Sequence, residues 1–219
     1  MARLLFEKTG RAVWISHLDL MRLFQRAFKR SGLRLKHTQG FNPRPSVSIA
    51  LPLSVGVESR CELLDFELDG ETPSCEEIRD RLNLALVEGV RVQKVYAAGR
   101  KLRELSLLSC AVTLEYDAGI AEGAVAEIRE LFQRDSLLVA KKSKNGPVEQ
   151  DIIPMIRRLD VFEKDGHAIE ITAVIRCQNP SMNPMQIAQA VDRYLPERKP
   201  DHSVCRRLEL YDTNEKIFR

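Results

Sequence analysis

The fold of this 219-residue chain is decided at residues 16–45, which read SHLDLMRLFQRAFKRSGLRLKHTQGFNPRP. Apolar residues recur there every three or four positions and predict one helix face, made of Leu20, Leu23, Phe24, Ala27 and Phe28. The opposite face is cationic and consists of Arg22, Arg26, Lys29 and Arg30. Ser16 is a typical helix N-cap, and Gly32 is a typical glycine at a helix C-terminus. The segment therefore predicts an amphipathic helix that buries one face and exposes a basic one.

Positive charge is concentrated in this part of the chain. The first 50 residues contain ten Lys or Arg and two acidic residues, whereas the other 169 contain 24 and 29. The whole chain is close to neutral, with a formal charge of +3. A local excess of this kind attracts polyanions, whereas a merely solvated helix face usually mixes both signs. Arg34 and Lys36 continue the basic surface beyond the helix. At this point both hypotheses stay open, a polyanion-binding surface and a merely solvated helix face.

The second notable stretch is the loop of residues 37–45, which is rich in glycine and proline. Gly40 permits unusual backbone conformations. One proline on each side of Arg44 restricts the position of this arginine. An exposed aromatic ring, an amide and an arginine can together stack a base and bind its phosphate. The candidate nucleic-acid-binding residues in this loop are Gln39, Phe41, Asn42 and Arg44. The alternative is a structural crossover in which Phe41 packs into the core.

Patterns outside this region predict the element order β-α-β-β-α-β twice, which is the ferredoxin-like order. We therefore expect an α+β fold of two tandem ferredoxin-like (βαββαβ) units with mostly antiparallel sheets. The expected boundaries are residues 1–98, which carry the basic helix and the Gly/Pro loop, and residues 104–219. Within them, residues 11–15 are expected to be extended. Residues 137–142 are expected to be the second strand of the second unit, followed by an insertion at 148–158.

Composition limits the class of protein further. The five cysteines are scattered, with no C-x-x-C pair and no Cys/His cluster, so we expect small buried residues and no cofactor or metal in this chain. No run reaches the roughly 18 apolar residues of a membrane span, and the first residues do not form the apolar core of a signal peptide. We therefore expect a cytoplasmic protein without a membrane partner.

Three short runs carry a resemblance to a known family. They are SHLDLMR at 16–22, QGFNPRP at 39–45 and LPLSVGVES at 51–59. Over residues 14–66 the chain resembles the bacterial radical-SAM-linked, or radical-SAM-associated, proteins. The resemblance implies a module that works with a radical-SAM protein and is not itself the radical enzyme. The missing three-cysteine cluster agrees, because an iron–sulfur centre needs such ligands.

Two main functional hypotheses follow. The first is an accessory RNA-binding module, for tRNA or rRNA, that serves a radical-SAM enzyme and has no catalysis of its own. The second is a metal-independent endoribonuclease in which His17 or His37 acts as general acid or base, similar in topology to CRISPR repeat-processing enzymes. A supporting structural role for both histidines is the plainer alternative. A third possibility is that the basic face docks an acidic protein.

Overall fold

A computed structural model describes residues 1–143 and 146–219 of the chain. In this described part the protein is a mixed α+β structure with four α-helices and mostly antiparallel sheets. The chain divides into two compact units, Met1–Glu104 together with Arg219, and Leu105–Phe218.

The first unit consists of four strands and two α-helices. The strands are β1 (Ala2–Lys8), β2 (Val47–Ile49), β3 (Glu58–Phe66) and β4 (Val90–Ala97). The helices are α1 (His17–Arg30) and α2 (Cys75–Ala85). The strands lie in the order β4-β1-β3-β2, and each neighbouring pair is antiparallel.

Helix α1 packs its apolar face into the core of the first unit. The five predicted residues of that face are all buried, so this prediction is confirmed. Phe24 meets Phe6 of β1 edge-on, with ring centroids 4.8 Å apart, and Phe28 meets Phe66 of β3 at 5.0 Å. Aromatic pairs of this kind contribute about 0.5–1.5 kcal/mol beyond the burial of their surface. The packing fixes which side of α1 faces outward.

Both ends of α1 are set by residues adjacent in sequence. The Ser16 hydroxyl accepts a hydrogen bond from the backbone N–H of Asp19 at 3.2 Å, as predicted for the N-cap. At the other end, the N–H of Leu33 donates to the carbonyl of Phe28 at 3.0 Å, and the N–H of Gly32 donates to that of Lys29 at 3.3 Å. This double closure is the Schellman motif, and Gly32 takes the required left-handed conformation with φ +71°. The chain therefore leaves the helix in a defined direction.

Residues 11–15 are not extended, so this prediction is wrong. A 3-10 helix spans Gly10–Trp14. The buried ammonium group of Lys8 donates to the carbonyls of Val13 and Ile15, at 3.0 and 2.8 Å. These bonds from a buried side chain hold the segment in a compact turn, a cause that an alternating pattern does not reveal.

Two of the ten basic residues in the first 50 lie in the interior and add nothing to the basic surface. Lys8 is one, and burial lowers the pKa of its ammonium group against the opposing effect of the Glu62 carboxylate. The other is Arg3, whose guanidinium binds both carboxylate oxygens of Asp65, at 2.6 and 3.0 Å. This ion pair links β1 to β3.

The described residues of the second unit form six strands and two α-helices. The strands are β5 (Leu107–Glu115), β6 (Leu138–Ser143), β7 (Gly146–Asp151), β8 (Ile156–Asp165), β9 (Ala168–Arg176) and β10 (His202–Tyr211). The helices are α3 (Ala124–Leu131) and α4 (Gln186–Tyr194). Four strands lie in the order β10-β5-β9-β8 with antiparallel neighbours, and β6 pairs with β7 in a separate two-stranded sheet.

The strand predicted at residues 137–142 is present as β6, but it does not join the four-stranded sheet. Strand β6 pairs with β7, and the strand beside β9 is β8. The insertion is the β6–β7 hairpin, and the tip residues 144 and 145 lie outside the described residues.

The packing of the cysteines agrees with expectation, since four of the five cysteines are buried. Burial raises the pKa of Cys177 to about 11 and that of Cys205 to about 12, so both thiols stay protonated at neutral pH.

The turn after α1 yields a stability prediction. A Cβ at Gly32 would meet no atom within 4 Å, so Gly32→Ala adds only the strain of φ +71°. We expect its free energy of unfolding to fall by about 1–2 kcal/mol, measured by urea denaturation followed by circular dichroism. Gly99→Ala is the matched control, because Gly99 is equally unobstructed and lacks a positive φ. Equal stability of the two variants would contradict the Schellman closure.

Candidate functional site

The outer face of α1 borders an open cleft of about 870 Å³. Its cationic lining residues are Arg22, Arg26, Lys29 and Arg34. The first three lie on α1 and are exposed, and they follow one another along about two turns of the helix. Arg34 comes from the segment that follows the Schellman turn. The burial of the apolar face of α1 and the turn at Gly32 thus direct four cations to one place.

The segment after Gly32 is held by pairing with residues that follow β3. Leu35 forms an antiparallel bridge with Leu68, and the N–H of Asp69 donates to the carbonyl of Arg34 at 2.9 Å. The N–H of Lys36 donates to the carbonyl of Glu67 at the same distance. This pairing fixes Arg34 beside the helix and brings Asp69 to the lining of the same cleft.

The Gly/Pro loop forms a hairpin whose base also lines the cleft. His37 bridges Pro45, and both residues belong to the lining. Two further bonds close the hairpin. The N–H of Thr38 donates to the carbonyl of Arg44 at 2.8 Å, and the N–H of Arg44 donates to the Thr38 hydroxyl at 3.0 Å. Helix α1 and the loop therefore share one cleft.

The tip of the hairpin projects into solvent. Phe41 is fully exposed, so the alternative in which this ring packs into the core is wrong. Gln39, Asn42 and Arg44 are exposed as well, and none of these four residues belongs to the lining of the cleft. The tip offers an aromatic ring, amides and a guanidinium next to the cleft but outside it.

Two of the predicted basic residues are engaged elsewhere. The Arg30 guanidinium donates to the carbonyl of Ala85 at the end of α2. The Lys36 ammonium forms an ion pair with Glu67 at 3.3 Å. Neither side chain lines the cleft. The basic pattern in the sequence therefore overestimates the number of cations that line the cleft.

The cations that do line the cleft differ in their partners. Arg22 forms an exposed ion pair with Asp19 at 3.0 Å. A hydrogen bond from the Ser16 hydroxyl, and then the Arg22 guanidinium, lower the pKa of the Asp19 carboxyl, so it is ionised at neutral pH. In the part of the chain that the structure describes, no carboxylate lies within 4 Å of the other three, Arg26, Lys29 and Arg34. The site keeps a local positive charge.

The two histidines occupy different environments. His37 is exposed and lines the cleft. His17 is the first residue of α1, is half-buried and is not part of that lining. Its Nδ1 atom is buried, and no described residue offers it a hydrogen bond. Only His37 is therefore positioned to meet a molecule in the cleft.

Several lining residues were not predicted as site residues. They are Gln25, Phe28, Gly32, Leu33, Leu35, Pro45 and Asp69. Phe28 was correctly predicted as a core residue, and its position beside the cleft depends on the turn that follows it. Asp69 is distant in sequence and reaches the site only through the bridge between Leu35 and Leu68. No local pattern marks it.

Two further observations concern the whole described chain. Among residues 1–143 and 146–219, no three His, Cys, Asp or Glu side chains are grouped as ligands for a metal ion. No helix in these ranges has the length and apolar character needed to cross a lipid bilayer.

Comparison with known proteins gives a family and a fold. The model of DUF2344, described as an uncharacterized protein conserved in bacteria, matches residues 2–185. No curated protein sequence matches this chain. A chain in the crystal structure of a Cbf5–Nop10–Gar1 complex is similar with a TM-score of 0.54 and 8% identity, covering 95% of this chain and 48% of that one.

A second solved structure, an H/ACA RNP bound to a substrate RNA containing 2′-deoxyuridine, gives a TM-score of 0.47 at 8% identity. That alignment covers 94% of this chain and 46% of the other. The chain thus spans about half the length of these solved chains. At this identity the likeness concerns the fold alone.

Proposed function

This chain belongs to the DUF2344 family of bacterial proteins, and we propose that it is an RNA-binding protein that holds tRNA or rRNA in the cleft beside α1. The observation that carries the proposal is the convergence of four cations on one cleft, three of them without a carboxylate within ion-pair distance among the described residues. Phosphate contacts supply most of the affinity of such proteins for nucleic acid.

The geometry of α1 supports contact with more than one phosphate. Arg22 and Lys29 are seven residues apart, which corresponds to about 10 Å along a helix axis. Arg34 adds a charge from a different element, so the cations border the cleft instead of forming a single row. An RNA strand that crosses the cleft would place successive phosphates next to these cations.

The strand orders of the two units support the ferredoxin-like interpretation. In both β4-β1-β3-β2 and β10-β5-β9-β8, the first and third of the four strands along the chain lie at the centre, and the fourth and second lie at the edges. Four-stranded sheets of this kind occur in RNA-recognition modules. A fold does not by itself confer a function, so the proposal depends on the cleft.

The first test removes two cations from the cleft. Arg26→Ala/Lys29→Ala is expected to weaken binding to total tRNA and rRNA by tenfold or more, because two phosphate contacts are lost. The slope of log K against log salt concentration should fall in magnitude by about 1.4, or about 0.7 for each contact with a single strand. Fluorescence anisotropy across a salt series measures both quantities.

The matched control is Arg91→Ala/Lys94→Ala, which removes the same charge from exposed positions on β4 outside the cleft. It should bind nearly as well as the wild type. Equal weakening by both double variants would mean that net charge alone drives binding, and absence of binding by the wild type at low salt would refute the proposal.

The position of His37 on the lining favours a second candidate, a metal-independent endoribonuclease with His37 as general acid or base. Under the first proposal, labelled tRNA and rRNA stay intact when incubated with the protein in EDTA. Cleavage that is lost in His37→Ala but kept in His17→Ala would instead establish the nuclease, because only His37 lines the cleft.

The proposal of a radical-SAM partner rests on the resemblance of residues 14–66 to the radical-SAM-linked proteins. The DUF2344 description mentions no such enzyme. We expect the tagged chain, purified from its own bacterium after nuclease treatment, to retain an iron–sulfur protein with a three-cysteine motif. Retention of acidic proteins without such a motif would favour the docking alternative and remove the radical-SAM partnership.

A further inference from the structure

Four lining residues of the cleft are apolar, whereas its four cationic residues are exposed. Phe28 and Leu33 are buried at the bottom of the cleft, and Leu35 and Pro45 are partly exposed. A site for phosphates alone has no use for such a surface, because phosphate oxygens remain hydrated or bind donors. Nucleobases have flat apolar faces that leave water readily when they stack or pack. The lining therefore suits a base inside the cleft and phosphates at its border.

Asp69 also supports a site with a base inside the cleft and phosphates at its border. It is the only carboxylate among the described lining residues, and in the described part of the chain no cation lies within ion-pair distance of it. A carboxylate repels phosphate, so a cleft that receives phosphate would be weakened by it. The same group accepts hydrogen bonds from the amino and imino N–H groups on base edges.

Phe41 provides a second surface for a base. Its ring is fully exposed at the tip of the hairpin whose base, His37 and Pro45, lines the cleft. Phe41 is four positions after His37, so the Cα atoms of the two residues lie within about 13 Å of each other at about 3.3 Å per extended residue. An exposed ring at this distance can stack a base next to the one in the cleft.

We infer that the cleft takes one unpaired base of single-stranded RNA, with the flanking phosphates on Arg26, Lys29 and Arg34 and a neighbouring base on Phe41. This inference rests on the proposed function and specifies its substrate. The volume of about 870 Å³ lies within the range of about 300–1,000 Å³ usual for small-ligand pockets. Bases in a duplex are already paired and stacked, so they cannot enter.

The test compares one RNA oligonucleotide as a single strand with the same oligonucleotide annealed to its complement, at one salt concentration. We expect the single strand to bind at least tenfold more tightly in fluorescence anisotropy. Gln25→Trp, which narrows the cleft without changing charge, should reduce this preference and affect duplex binding much less. Leu84→Trp adds the same bulk at an exposed position of α2 outside the cleft and should retain the preference.

Phe41→Ala is a second variant that leaves the core untouched, because its ring is fully exposed. It should also weaken single-strand binding, by about fivefold or more, as loss of one stacked base does. A preference that Gln25→Trp leaves unchanged or increases would overturn the inference. So would tighter binding of single-stranded DNA than of RNA with the same sequence.

The outcomes separate this inference from the function on which it rests. Equal binding of both RNA forms, weakened by Arg26→Ala/Lys29→Ala, would refute the unpaired-base site and leave RNA binding in place. Absence of binding to either form would refute both.

Discussion

Burial of the apolar face of α1 is the interaction on which the candidate site depends. Each large apolar side chain buried there contributes about 1.5–3 kcal/mol, and Leu20, Leu23, Phe24 and Phe28 are all at most 7% exposed. Rotation of the helix by one position would expose part of this set and place arginine against the core. Apolar packing, and not attraction between charges, therefore keeps Arg22, Arg26 and Lys29 pointing outward.

The turn at Gly32 brings a second chain segment beside α1 and so completes the candidate site. The Schellman bonds end α1 and send Leu33 back into the core, and the chain then continues as an extended segment paired with residues 67–69. That pairing consists of backbone hydrogen bonds, which depend little on the side chains. The side chains of Arg34 and Asp69 are therefore not needed for this pairing and can line the cleft.

Local features of this region were predictable from the sequence, and long-range ones were not. Ser16, Gly32 and the apolar spacing of α1 act within a few residues, so the pattern alone was enough to identify them. Arg30 and Lys36 look equivalent to their basic neighbours in sequence. They are engaged by the Ala85 carbonyl and by Glu67, which lie 55 and 31 positions away. The 3-10 helix at Gly10–Trp14 was missed for another reason, because it depends on hydrogen bonds from the buried Lys8 ammonium group that hydrophobic alternation does not reveal.

The pairing of Arg22 with Asp19 does not remove Arg22 from the site. Both side chains are more than half exposed, and ion pairs of this kind contribute about 0–1 kcal/mol. The Asp19 carboxylate also accepts a hydrogen bond from the Ser16 hydroxyl at 2.7 Å, and it lies in the first turn of α1, where the helix dipole favours a negative charge. Asp19 would therefore remain stabilised after Arg22 had moved to a phosphate. The ion pair can thus hold the guanidinium near the border of the cleft and release it at little cost when a polyanion arrives.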